Sequence, residues 1–90
     1  MSHWEPASER ISRELVEADF EIAFSLVDMV HEQTEEGDLA CATRALHVAD
    51  DVFLDIERRL QLMKSPDQQS FDPLVGELRR ALALAKSRVA

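Results

Sequence analysis

An uninterrupted apolar stripe between Asp38 and Lys64 constrains the fold of this chain more than any other feature. Its members recur at steps of four and three residues: Ala42, Leu46, Ala49, Phe53, Ile56, Leu60 and Met63. This spacing places them on one side of an α-helix. Asp38 stands in front of the stretch as an N-cap, and neither glycine nor proline interrupts it. The stripe predicts a helix over 39–63 that needs other helices to cover it.

The residues before this stripe predict a longer helix over about 6–35. Pro6 suits a first helical turn, and Gly37 offers a left-handed stop. The apolar residues of this helix form two adjacent stripes: Ile11, Leu15, Ala18, Ile22, Leu26 and Met29 in the first, and Val16, Phe20, Ala23, Val27 and Val30 in the second. A face this broad is expected to touch two neighbouring helices at once.

The residues after the stripe predict a polar loop over 64–71, with room for one helical turn after Ser65, and then a third helix over 73–89. Asp72-Pro73 supplies that helix with a cap and a first-turn proline. The short link at 36–38 makes the first two helices antiparallel neighbours. The predicted fold is therefore all-α, a three-helix antiparallel bundle in a single domain over 1–90.

The length of the chain favours self-association. A domain of 90 residues buries a modest share of its surface, and oligomerisation is a common way to add to its stability. We therefore expect a homodimer that joins two copies into a larger bundle. The single cysteine, Cys41, excludes an intramolecular disulfide and suits a reducing cytosol. Its small apolar neighbours predict a buried structural thiol.

The charge of the chain bears on its partners. The net charge is −8, and eleven of the eighteen acids lie in residues 1–38, where Arg10 and Arg13 are the only bases. An acidic surface repels nucleic acid and anionic lipid, so neither is an expected partner. A protein partner is expected instead. The N-terminus lacks a basic n-region, and no run approaches the ~20 apolar residues of a membrane span, so we expect a cytoplasmic protein.

One charged residue interrupts the apolar face of the first helix. Asp19 projects between Leu15 and Ile22, where a carboxylate is costly unless it is paired. If the turn at Gly37 pairs the first two helices symmetrically, Arg59 lies within reach of Asp19. An ion pair between Asp19 and Arg59 that sets the helix register is the expected arrangement, and an acid in a pocket is the alternative.

Motifs for catalysis, metal binding and cofactor binding are not found. The pairs Asp28-x-x-His31 and His47-x-x-Asp50 have the spacing of di-iron ligands, but both are expected on the polar side, facing solvent near the turn. Gly37 and Gly76 are isolated, so no phosphate-binding loop exists. We predict no catalytic residue, no metal ligand and no cofactor.

Several large apolar residues fall outside the stripes. They are Trp4, which is expected to precede the first helix, and Phe24, Leu54, Leu62 and Leu84. Single exposed apolar residues are ordinary, but several in a chain this short indicate a surface that a second copy or another protein covers. An alternative for Trp4 is a staple that holds the start of the first helix on the bundle.

The turn before the second helix and the helix itself show a pattern of residue size. After Gly37-Asp38, a small, a large and a small residue stand at positions four and three apart: Ala42, Leu46 and Ala49. This order resembles the turn and second helix of a tetratricopeptide repeat, with Leu26 and Met29 at the large positions of its first helix. Over residues 26–49 the resemblance implies helix-hairpin packing and, by analogy, a peptide- or protein-binding role.

The chain departs from that family at two positions. Val30 stands where the family has a small residue, and Leu54 stands where it has a closing proline. A single unit also cannot build the concave array that such repeats use for binding. The expected function is a small, non-catalytic interaction module, an adaptor or regulator. The alternatives are a subunit of a larger assembly and a small all-α enzyme whose site forms between two subunits, for which Arg59 and Arg88 are the available inward cations.

Overall fold

The computed structural model describes the backbone of residues 4–90 and the side chains of residues 13–90. Over this range it contains four helices and no strand: α1 (Trp4–Glu35), α2 (Leu39–Gln61), α3 (Ser65–Ser70) and α4 (Asp72–Val89). The all-α prediction is confirmed. The predicted count of three helices is wrong because Pro66 lies in the first turn of a separate short helix within the expected loop.

The start of α1 differs from the prediction. Trp4 is the first residue of the helix and does not precede it. The side chains of Trp4 and Ile11 lie outside the described residues, so the proposed staple and the N-terminal end of the first stripe stay predictions.

The turn between α1 and α2 has the predicted form. Gly37 has φ = +81°, a conformation that other residues rarely adopt. The N–H groups of Gly37 and Asp38 donate to the carbonyls of Thr34 and Gln33 at 3.1 and 2.9 Å. Asp38 accepts a hydrogen bond from the Cys41 N–H at 3.1 Å. Hydrogen bonding by the Cys41 side chain, and then by its N–H, lowers the pKa of Asp38. The turn therefore makes α1 and α2 antiparallel neighbours.

The three long helices share one core, to which α1 contributes its second stripe. The buried residues are Val16, Phe20, Ala23, Val27 and Val30 of α1, Ala42, Ala45, Leu46, Ala49, Ile56 and Leu60 of α2, Leu78, Leu82 and Ala85 of α4, and Phe71 between α3 and α4. The buried alanines let the helix backbones approach closely, since their side chains take up little space.

Polar contacts hold α4 against the hairpin on one side. Lys86 Nζ lies 3.2 Å from Asp50 Oδ1, and Arg88 Nη1 lies 2.9 Å from His31 Nδ1. Arg79 Nη2 lies 3.6 Å from Glu57 Oε2. Because later residues of α4 meet earlier residues of α2, these two helices are antiparallel. Of the four residues expected to face solvent near the turn, Asp28 and His47 are exposed, whereas His31 and Asp50 are half-buried and contact α4.

Candidate interaction surface

Helix α1 presents three different faces to its surroundings. At 3.6 residues per turn, the stripe that contains Leu15, Ile22 and Met29 lies about 120° round the helix from the buried stripe. These three side chains are 43% to 50% exposed. The exposed acids Glu17 and Glu21 lie about 120° further round. As predicted, α1 contacts two neighbouring helices at once, α2 and α4. These helices pack on the second stripe and its flanks and leave the side chains of the first stripe partly exposed.

Helix α2 carries a matching exposed row. Cys41, Val48, Asp55 and Leu62 follow one another at seven-residue intervals along one side of the helix. Val48 is 49% exposed and Leu62, at the end of the helix, is 89% exposed. Cys41 is half-buried, and its Sγ accepts a hydrogen bond from Arg44 Nη2 at 3.2 Å. The expectation of a buried thiol is wrong because Cys41 lies on this outer row and outside the core.

The predicted partners Asp19 and Arg59 join the two rows. Arg59 Nε lies 3.2 Å from Asp19 Oδ2. Both atoms are shielded from solvent, and the pair is an ionic contact without an aligned hydrogen bond. Asp19 lies one turn from Leu15 on α1, and Arg59 lies one turn from Leu62 on α2. The ion pair therefore bridges the exposed rows across the α1–α2 seam.

The side of the hairpin that carries these rows is the side that α4 leaves uncovered. Helix α4 meets the hairpin through His31 and Asp50, on the opposite flanks of α1 and α2. We call the uncovered side the open face and define it by five large apolar side chains: Leu15, Ile22, Met29, Val48 and Leu62. It is an apolar strip along both helices that is interrupted by Asp55 in the α2 row and bridged by the Asp19–Arg59 pair.

The structure separates the residues that were predicted to form one interaction surface. Leu62 belongs to the open face, whereas Leu54, 51% exposed, lies on the back of α2. Phe24 lies at the seam between α1 and α4. Leu84 is exposed one turn before Arg88, so it flanks the same seam. These side chains therefore lie on three surfaces, and the open face was missed because its α1 residues looked like core.

A groove runs along the seam between α1 and α4. Its volume is about 610 Å³, and its lining residues are Glu17, Phe20, Glu21, Phe24, Ser25 and Leu74. The Phe24 ring stacks on Phe20 with centroids 6.5 Å apart. Phe20 in turn stacks on Phe71 at 5.7 Å. An apolar floor with carboxylates at the rim gives this groove a chemistry different from that of the open face.

Phe71 lies in the stretch 64–71 that was predicted to be a loop and was not predicted to be part of the core. This residue is buried at the start of α4 and ties the α3–α4 junction to α1 through its stack on Phe20. The signal was present, because Phe71 is the one large apolar side chain in the polar stretch 64–72. A lone aromatic in such a stretch is a reasonable candidate for an anchor.

The described side chains include no group of three or more His, Cys, Asp or Glu residues placed to hold a metal ion. Arg59 and Arg88 were named as cations for an alternative enzyme site. In the structure Arg59 contacts Asp19, and Arg88 contacts His31. No helix within residues 4–90 has a stretch long and apolar enough to cross a membrane.

Comparison with known proteins finds no match: no protein-family model, no curated protein and no solved structure matches the chain.

The structure shows where the residues that resemble a tetratricopeptide repeat lie. Ala42, Leu46 and Ala49 are buried, and so is Val30, whereas Met29 lies on the open face. Of the two large positions on the first helix, the one at Met29 therefore points away from the core.

Proposed function

We propose that this protein is a small, non-catalytic interaction module of the cytoplasm, an adaptor or regulator that acts as a homodimer. Two copies join through their open faces. The observation that carries the proposal is the open face itself, a strip of five large apolar side chains that are 43% to 89% exposed. Apolar patches of this extent on a small protein mark interaction sites.

The spacing of the strip favours another helical surface as its occupant. Leu15, Ile22 and Met29 on α1, and Val48 and Leu62 on α2, recur at multiples of seven residues. Rows with this period form the seams between packed helices. Two hairpins that meet through these rows form a four-helix core, with α4 of each copy on the outside.

The charge distribution is compatible with a twofold arrangement. A symmetric dimer brings the same patch of each copy together, so an acidic patch at the interface repels its own image. The exposed acids Glu14, Glu17 and Glu21 lie about 80° to 140° round α1 from the centre of the open face. The acids of the strip's α2 row are limited to Asp55, which lies 3.7 Å from Arg58. The apolar rows therefore meet without opposed rows of carboxylates.

The test is the mass in solution by light scattering across a wide range of concentration. We expect the wild-type protein to be a dimer and Ile22→Glu to be a monomer with unchanged helical circular dichroism. Leu54→Glu is the matched control, because Leu54 and Ile22 are equally exposed at 51% and 50% but lie on different surfaces. A wild-type monomer at all concentrations, or equal effects of the two substitutions, contradicts the proposal.

Cys41 provides a second measurement. It is the one cysteine of the chain and lies two turns before Val48 in the α2 row that borders the open face. Dimerisation should shield its thiol, so alkylation of Cys41 should slow as protein concentration rises and should be fast at all concentrations in Ile22→Glu. An alkylation rate that is independent of concentration in a wild-type dimer would place the interface elsewhere.

A further inference from the structure

A short repeat in α1 lines the groove between α1 and α4. The residues Glu17-Ala18-Asp19-Phe20 are followed directly by Glu21-Ile22-Ala23-Phe24, so each glutamate precedes a phenylalanine by three positions. On a helix, residues three apart share a face, and the second unit repeats the first about one turn further along. The repeat places two carboxylates beside two stacked rings.

Beside the first unit, the protein places its own cation between Glu17 and a neighbouring ring, that of Phe71. The guanidinium of Arg13 lies 5.1 Å from the centroid of Phe71, which stacks on Phe20. Arg13 Nε lies 3.4 Å from Glu17 Oε1. Arg13 Nη1 donates at 3.2 Å to Asp67 Oδ1 and to Ser70 Oγ. A guanidinium over a phenylalanine ring with a carboxylate beside it is therefore an arrangement this surface already uses.

The second unit also offers a carboxylate and a ring, Glu21 and Phe24, but no described cation lies there. Phe24 is half-buried, with its ring stacked on Phe20. The Glu21 side chain is exposed and makes no ion pair or hydrogen bond with any described residue. Among the described side chains, the cation–ring contacts are Arg13 on Phe71 and Arg79 on Phe53, so the Phe24 ring carries none.

We propose that this groove binds an arginine of a basic, amphipathic segment from a partner protein. The guanidinium lies against the Phe24 ring and pairs with Glu21, as Arg13 does with Phe71 and Glu17. An apolar side chain of the same segment packs on Leu74. In naming the partner class of the interaction module, this inference rests on the proposed function.

Two physical arguments select this occupant. A guanidinium is planar and weakly hydrated, so it stacks on a ring and presents N–H groups to a carboxylate at the same time, which an ammonium does less well. The chain carries net charge −8, and residues around the groove contribute Glu17 and Glu21, so a basic segment is attracted and an acidic one is repelled. The floor of Phe24 and Leu74 requires that the segment also be partly apolar.

The test is a titration of the full chain with a short helical peptide that carries arginine and leucine on one face, followed by NMR and calorimetry. Lysine and glutamate versions of the peptide are the comparison probes. We expect the amide signals of Glu21 and Ser25 to shift with the arginine peptide, and Glu21→Gln to weaken its binding about tenfold. Phe24→Leu should weaken it about fivefold through loss of the ring.

Glu32→Gln is the matched control, since it removes the same charge from an exposed position of α1 about 16 Å along the helix from Glu21. It should change the affinity less than twofold. Equal weakening by Glu32→Gln would mean attraction by net charge alone and would overturn the proposal. Absence of binding, or a lysine peptide that binds as tightly as the arginine peptide, would overturn it as well.

The outcome of the peptide titration can be distinguished from the outcome of the dimerisation test. The groove is formed within one chain, so it is present whether the protein is a monomer or a dimer. Glu21→Gln should leave the mass in solution unchanged. If it instead converts a dimer into a monomer, an arginine of the second copy occupies the groove, and the proposal of a separate basic partner is overturned.

Discussion

Replacing Ile22 by alanine is expected to raise the dissociation constant of the proposed dimer about 30-fold. Complete burial of an isoleucine side chain contributes roughly 1.5–3 kcal/mol. Ile22 is 50% exposed in one chain, so dimer formation removes about half of its surface from water, a contribution of about 1 kcal/mol. In a symmetric dimer the substitution acts twice, which gives about 2 kcal/mol and, at 1.4 kcal/mol per tenfold change, a factor of about 30.

Sedimentation equilibrium over a wide concentration range measures this constant directly. Leu54→Ala is the control, because Leu54 loses a similar exposed surface on the back of α2. The dissociation constant of the Leu54→Ala dimer should stay within about twofold of that of the wild-type dimer. A similar increase for both substitutions, or no increase for Ile22→Ala in a protein that does dimerise, would refute the assignment of the interface to the open face.

A mixture of wild-type and Ile22→Ala chains tests the symmetry of the interface. The mixed dimer contains one substituted chain, so it should lose about 1 kcal/mol and dissociate about fivefold more readily than the wild-type dimer. A mixed dimer as weak as the doubly substituted one would mean that Ile22 of one chain contacts Ile22 of the other, so that the two effects are not independent.

The remaining predictions concern the folded chain. Ile56→Ala, at a fully buried position, should lower the free energy of unfolding by about 2–5 kcal/mol in urea titrations, and a loss below 1 kcal/mol would contradict the packing described. A double-mutant cycle on Asp19 and Arg59 should give a coupling energy of about 0.5–1 kcal/mol, because the pair is part-exposed, and zero coupling would mean the contact is not stabilising. Asp38 has a lowered pKa in the folded chain, so its contribution to stability is present above its ordinary pKa of 3.8 and is lost as pH falls through the lowered value. The melting temperature of Asp38→Asn should therefore lie below that of the wild type at neutral pH and approach it in acid, whereas a constant difference would exclude the carboxylate as the cause.

Local sequence signals predicted correctly those features of the structure that depend on residues close together in the chain. Asp38 caps α2 and Gly37 adopts a positive φ, because both depend on backbone groups within a few residues. The bounds of the long helices were likewise predicted from the spacing of their apolar residues and from their capping residues. The contact of Asp19 with Arg59 also emerged from the sequence, since a tight turn between antiparallel helices determines which residues lie level.

The interaction surfaces were harder to predict because they depend on where α4 packs. In the sequence, the stripe of Leu15, Ile22 and Met29 and the stripe of Val16, Phe20 and Val27 are equally apolar, and either could serve as core. Helical period shows that a face is apolar but not which helix covers it. In the fold, the buried side chains of α4 share a core with the second stripe, and Phe71 stacks on Phe20 at the start of α4.

The sequence by itself therefore determined that this protein is all-α, where its long helices run and how the first two pair, since caps, turns and period act over a few residues. Only the tertiary structure decided which apolar stripe became core, which stayed exposed as the open face, and that Phe24 joins Glu21 in a groove. The physical reason is that the position of α4 depends on contacts between residues far apart in the chain, and those contacts leave no period in the sequence.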